Sequence, residues 1–321
     1  MIDNITMIKK TLSENEKKNI IKNSRLVCNS LNGLIYYDNR TTKNFTGGLF
    51  IKIDPNNNLK ITGSLHKYFS YLENGSLTNF DSFTMYQAKE TFKKMILKTG
   101  MNPEKVAINF FEIGMNIKLP IETKIVLEAI HSIGNHKEKI FLIDANHKDA
   151  RQITTERHRD FRIYFKIYDK VFEMLDKQHK RTPTDLNIIR IETVHRRCEK
   201  LFLTDMLELD SLLRLQNSFF AEWERLNFYN DITAPKGTPR SKKDLIRNII
   251  YNGKNEVLKQ YRNQYENNAL TKKQFRTLRE YIDNWEANKQ EFEIKQSKIV
   301  PFWIDAYDVE KQEVTKIKYL N

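Results

Sequence analysis

Three short stretches of this chain alternate apolar and polar residues with the period of two that a half-buried strand requires. In Phe110 to Ile117, the residues Phe111, Ile113, Met115 and Ile117 share one face, and Phe110, Glu112, Gly114 and Asn116 share the other. In Arg162 to Lys170, Ile163, Phe165 and Ile167 oppose Arg162, Tyr164, Lys166, Tyr168 and Lys170. In Ile188 to Val194, Ile189 and Ile191 oppose Arg190 and Glu192. Each strand hides an apolar face and presents a chemically loaded one.

The surrounding pattern predicts a hairpin from Leu49 to Ile53 and Leu59 to Leu65, turning at Asp54-Pro55-Asn56-Asn57-Asn58. Phe80 to Leu97 has helical spacing and stops at Gly100. Strands are expected at Val106 to Leu119, Lys139 to Ile143, Asp160 to Tyr168 and Asn187 to Val194, and helices at Ile121 to Ile133, Val171 to Gln178 and Leu201 to Leu226. Residues 1–45 read as an irregular or helical N-terminal segment, 46–232 as an α+β domain around a mostly antiparallel sheet with helices packed on one face, and 233–321 as a helical C-terminal region. The turn-rich Thr233 to Arg240 links the last two, and Asn252-Gly253 should end the helix begun near Ser241.

Charge sharpens the functional picture. The chain carries a formal +13, and Lys236 to Arg279 holds 12 Lys or Arg against three acids, a local excess of nine. Such clustering suits a polyanionic partner, because Lys and Arg release counterions from phosphates. Tyr251, Tyr261, Tyr265 and Phe275 are interleaved on helix-like spacing as packing residues, a makeup expected of a winged-helix or helix-turn-helix module. Lys242, Lys243 and Arg247 are its candidate DNA contacts. No run of 18 or more apolar residues occurs, and Met1 to Lys22 offers no secretory core, so a cytoplasmic protein without a membrane partner is expected. Cys28 and Cys198 form neither a disulfide framework nor a zinc site.

If the three polar strand faces align, two carboxylates, an amide, two phenols and several cations meet above one sheet. That inventory suits phosphodiester chemistry. Lys or Arg beside a phenol favours the phenolate nucleophile, and carboxylates with an amide oxygen are hard ligands for Mg2+ or Mn2+. Glu112, Glu192, Asn116 and His66 are the candidate metal ligands, Tyr164 and Tyr168 the candidate nucleophiles, and Lys166 and Lys170 their supporting cations. Arg162, Arg190, His195, Arg196 and Arg197 are candidate contacts to the DNA backbone.

Gly63-Ser64-Leu65-His66-Lys67-Tyr68-Phe69, Phe111-Glu112-Ile113-Gly114-Met115-Asn116-Ile117, Phe165-Lys166-Ile167-Tyr168-Asp169-Lys170 and Ile189-Arg190-Ile191-Glu192 occur in that order. Together they resemble the blocks of phage and plasmid rolling-circle replication initiation proteins, relatives of the filamentous-phage and Rep_trans initiators, over roughly residues 48–230. The resemblance implies a relaxase-like fold and metal-dependent nicking and joining of one DNA strand at an origin through a phosphotyrosyl intermediate. It also implies duplex and single-stranded DNA as partners, with a host helicase. The chain departs from the wider superfamily in lacking a His-hydrophobic-His triplet; His131 and His136 have the wrong spacing for one strand face. Tyr164 and Tyr168 would stand ~13 Å apart on a strand, too far to alternate easily at one phosphate. The competing reading is a non-catalytic DNA-binding protein, a repressor or inactive initiator descendant. An RNA-binding protein is disfavoured by the lack of an aromatic RNP-like motif.

Overall fold

The computed structural model describes residues 1–42, 46–134, 139–143, 152–156, 162–178, 186–198 and 200–316, without the side chains of 143 and 175–178. His136, noted above for its spacing from His131, lies outside these residues. Two compact units emerge, Met1–Asn227 with Ile299–Asn321, and Phe228–Lys298.

The first unit is α+β. In chain order it carries β1 (Ile2–Lys9), α1 (Glu14–Asn23), β2 (Val27–Leu31), β3 (Leu34–Asp38), β4 (Phe50–Ile53), β5 (Leu59–Ser64), α2 (Leu65–Asn74), α3 (Met85–Thr99), β6 (Ala107–Lys118), α4 (Thr123–Ala129), β7 (Ile130–Ile133), β8 (Lys139–Ile143), β9 (Gln152–Thr155), β10 (Ile163–Asp169), α5 (Lys170–Gln178), β11 (Ile188–Arg196), α6 (Leu203–Met206) and α7 (Leu209–Trp223). Among the described residues its sheet has the order β7-β8-β9-β10-β11-β6-β1-β5-β4-β3-β2, with β12 (Leu226–Phe228) beyond β7. Every pairing from β7 to β2 is antiparallel.

The apolar faces of β6, β10 and β11 become the core, as their alternation predicts. Trp223 of α7 closes it, its ring edge-on to Phe165 at 5.6 Å and its Nε1 donating to Thr193 Oγ1 at 3.0 Å. Helix α3 begins with a reciprocal capping box between Thr84 and Gln87, so two otherwise orphaned amide groups are satisfied.

Several sequence expectations differ from the structure; the single helix expected over Leu201 to Leu226 is two, α6 and α7, and Leu226 already belongs to a strand. The N-terminal segment is not irregular or helical throughout: β1 lies inside the sheet between β5 and β6. Its apolar residues Ile2, Ile5, Met7 and Ile8 break strict alternation because the register against β6 shifts between Ile2 and Ile5, a bulge that hides the period. Leu65–Asn74, following the predicted hairpin, is a helix, nucleated by Ser64 Oγ accepting from the Lys67 amide. The helix expected over Ile121 to Ile133 stops at Ala129, and Ile130–Ile133 continues as a strand paired with β8. The tail does not belong with the basic region, since helix α11 (Ile299–Thr315) packs against α7, with Tyr307 edge-on to Phe220 at 6.5 Å.

The second unit is a small helical body closed by a two-stranded ribbon, β13 (Asp231–Thr233) with β14 (Glu293–Lys295). Between them run α8 (Arg240–Glu266), α9 (Lys272–Asp283) and α10 (Trp285–Asn288). Gly253 interrupts α8 with φ 75° and ψ 150°, backbone angles a side chain would disfavour, where the sequence places a helix end. Leu245, Ile246, Ile249, Val257, Ile282, Trp285 and Phe292 form its core, with Tyr261 packed against them. Tyr265 stacks on Phe275 at 5.1 Å. No helix among the described residues is long and apolar enough to cross a membrane.

Candidate functional site

The sheet register brings the loaded faces of β10, β11 and β6 together. Lys166 pairs across to Glu192 and Glu192 to Gly114; Tyr168 pairs to Arg190 and Arg190 to Asn116; Tyr164 pairs to Val194 and Val194 to Glu112. The Lys166 ammonium sits between two acids, 2.9 Å from Glu112 Oε1 and 2.5 Å from Glu192 Oε2. The Arg190 guanidinium divides among three acceptors: Nε to Glu192 Oε1 at 2.6 Å, Nη1 to Asn116 Oδ1 at 2.8 Å, and Nη2 to Asp3 Oδ2 at 2.6 Å. The Tyr168 hydroxyl donates to Glu192 Oε1 at 3.0 Å.

β1 completes the cluster from the other side of β6. Its bulge allows the successive residues Asp3 and Asn4 both to serve the site, Asp3 on Arg190 and Asn4 donating to Glu112 Oε2. Asp3 also accepts from Ser64 Oγ and, at 2.9 Å, from Asn79 Nδ2. Asp3, Asn4, Ser64 and Asn79 join this cluster and were not among the candidate site residues read from the sequence. A usable signal was present in Asp3, an acid among the apolar residues of an N-terminal strand.

Burial makes these charges consequential, with Arg190 2% and Glu192 1% exposed. Burial alone would lift the Asp3 and Glu192 carboxyls, but Arg190 on Asp3, and Lys166 with Arg190 on Glu192, hold both below the ordinary carboxylate range. Glu112 goes the other way, raised by burial and by the neighbouring Glu192 charge. Burial would lower Lys166, but the Glu192 and Glu112 carboxylates outweigh it and raise its pKa. Tyr168 is raised well above the ordinary phenol value by burial and then by Glu192.

The signs of these shifts fix an acid response. A depressed carboxyl contributes stability above its unfolded pKa and loses it as pH falls through the folded value, whereas Glu112, being raised, changes stability in the opposite sense at higher pH. Stability should therefore fall as pH drops below about 4, where these carboxyls take up protons in the unfolded chain while Asp3 and Glu192 stay ionised in the fold. In urea unfolding at pH 7 and pH 3, Asp3→Asn is expected to be weaker than the parent at pH 7 and to lose less on acidification. Equal acid losses in both proteins would rule out this assignment.

The other expected site residues divide clearly. Tyr164, 6% exposed, lies under the Arg196 guanidinium, which is 4.6 Å from the ring centroid and donates through Nη2 to the hydroxyl at 3.3 Å. A cavity of about 330 Å3 is lined by Asn4, Lys67, Tyr164, Lys166, Tyr168 and Glu192, among others. Lys170 starts α5 instead of ending the strand; it is buried, ion-paired to Glu173 at 2.6 Å and 5.9 Å from the Tyr168 ring centroid. Arg162 and Arg197 are exposed.

Three expected DNA contacts are engaged with other groups of the chain. Arg190 cannot meet a phosphate while it is buried and committed to Asp3, Asn116 and Glu192. His195 stacks on Phe111 at 4.3 Å, and burial lowers its pKa to about 4, so it is neutral at pH 7 and supplies no cation. Lys242 turns over the rings of Tyr281 and Phe292, at 5.1 and 5.7 Å, while Lys243 and Arg247 of the same helix are exposed.

The expected metal ligands are engaged with other side chains. Among the described residues, no three His, Cys, Asp or Glu side chains converge as a metal-binding group. Glu112 and Glu192 converge on Lys166, the Asn116 oxygen accepts from Arg190, and His66 is buried in α2, stacked on Phe83 at 4.6 Å. No family model and no curated protein matches the chain.

Proposed function

We propose that this chain is a rolling-circle replication initiator, a DNA nicking and joining enzyme with Tyr164 as its nucleophile. The observation that carries the reading is the cavity shared by Tyr164, Tyr168 and Lys166, with Arg196 on the Tyr164 hydroxyl. Tyr164 is preferred over Tyr168 because the Tyr168 hydroxyl is buried and donates to a carboxylate, which disfavours its phenolate.

In this reading the Tyr164 oxygen forms a bond to the scissile phosphorus as the bond from phosphorus to the 3′-oxygen breaks. The phenol proton passes to solvent, and the departing 3′-oxygen takes up a proton to become a hydroxyl. Arg196 stabilises the phenolate and the charge developing on the phosphoryl oxygens. Joining is the reverse attack by a 3′-hydroxyl, which frees the tyrosine. Lys243, Arg247 and the other exposed cations of the second unit supply affinity for the DNA backbone, with the helices and ribbon of that unit as the origin-recognition module.

The test uses labelled single-stranded oligonucleotides tiled across the replicon that encodes the chain, scored for adducts that survive denaturant. The parent and Tyr168→Phe should both form an adduct, and Tyr164→Phe none. An adduct retained in Tyr164→Phe eliminates the assignment. No adduct with any oligonucleotide, together with salt-sensitive duplex binding, would favour the non-catalytic DNA-binding protein.

A further inference from the structure

We propose that Lys166 is the resident cation of this site: its ammonium occupies the place between Glu112 and Glu192 that a divalent ion would take, so the acid pair is a latent divalent-cation site that the lysine fills. The proposal stands independently of whether the chain cuts DNA.

The geometry is that of an occupied cation position. Both carboxylates direct one oxygen at the same nitrogen, at 2.9 and 2.5 Å, across adjacent strands whose register places Lys166 opposite Glu192. Glu192 is 1% exposed, and its Oε2 makes no hydrogen bond of standard geometry besides this ion contact. Its other oxygen is taken by Arg190 and Tyr168. Asn4 fixes the second oxygen of Glu112, so the remaining oxygen of each acid is held facing the ammonium.

Charge points the same way. Asp3, Glu112 and Glu192 bring three negative charges, and Lys166 and Arg190 return two positive ones. With Lys166 in place the cluster keeps a single net negative charge, and a divalent ion beside the ammonium would also face its direct repulsion in a poorly screened interior. With Lys166 shortened, the same carboxylates would offer oxygens to an ion that binds oxygen at about 2.0–2.6 Å, with water completing its shell.

Titration of the full chain with Mn2+, followed by the loss of the free-ion paramagnetic resonance signal, reads this directly. The parent should show no Mn2+ site that Glu112→Gln removes. Lys166→Ala should gain one site, at least about tenfold tighter than any in the parent, and Lys166→Ala/Glu112→Gln should lose it. Lys166→Arg, which retains the charge, should gain none. The gained site should also raise the thermal midpoint of Lys166→Ala in Mn2+ but not that of the parent. A parent Mn2+ site abolished by Glu112→Gln would overturn the proposal, showing that the ion displaces the lysine. A folded Lys166→Ala that gains no site would overturn it as well. Should the alanine variant fail to fold with or without Mn2+, the comparison of the parent with Glu112→Gln still decides.

Discussion

Arg190→Met is expected to cost the fold about 3–5 kcal/mol, the typical penalty for breaking a buried ion pair from one side. The arginine serves Asp3, Asn116 and Glu192 from a single buried side chain, tying β11 to β6 and, across β6, to β1. Methionine roughly fills the aliphatic volume but supplies no donor, so Asp3 is left with only Ser64 and Asn79, and Glu192 with Lys166 and Tyr168. Most of the penalty should come from the uncompensated charge on Asp3 and not from the lost contacts themselves. Asp3→Asn/Arg190→Met is therefore expected to be less destabilised than the sum of the two single variants, because the amide removes the stranded charge. Urea unfolding of the four proteins at pH 7 measures this coupling. Additive losses would mean that the two side chains do not form one buried unit.

The candidate site was legible in the sequence to the extent that strand period determines side-chain face. Glu112, Lys166, Tyr168, Arg190 and Glu192 fall on polar faces by counting in twos, and antiparallel pairing in register preserves those faces across neighbouring strands. Period says nothing of which strand pairs with which, nor of how far a long side chain reaches. That Lys166 contacts both acids, and that Arg190 reaches Asp3 187 residues away, depends on strand order and rotamers. β1 stayed hidden because its bulge breaks the alternation that reveals other strands. The run Ile130-His131-Ser132-Ile133 is apolar at spacings open to either a helix or a strand, and its pairing with β8 decides the matter. The charge of the second unit was legible, but the inward turn of Lys242 was not, since aromatic partners 39 and 50 residues away determine it.

Gly114→Ala should destabilise the first unit by about 1–3 kcal/mol, the usual range for overpacking a filled interior. Gly114 lies on β6 directly opposite Glu192 of β11. A Cβ there would stand 2.9 Å from Arg190 Nη2, 2.9 Å from Glu192 Cγ and 3.1 Å from the Ile191 carbonyl oxygen. Those separations are too short for ordinary contact. The two side chains could yield only by giving up their mutual ion pair or the Arg190 link to Asp3, and the carbonyl belongs to the backbone of the paired strand. Glycine is thus needed here for the space it leaves the guanidinium, and its lack of a side chain is part of how the cluster fits above the sheet. The methyl should cost less once the guanidinium is gone, so the penalty measured in an Arg190→Met background is expected to fall well below that in the parent. Thermal and urea unfolding of Gly114→Ala in both backgrounds give the comparison. An alanine variant within about 0.5 kcal/mol of the parent would show that the strands can separate to admit a methyl, and the close packing of Arg190 against β6 would then not be what holds the acid and base side chains in register.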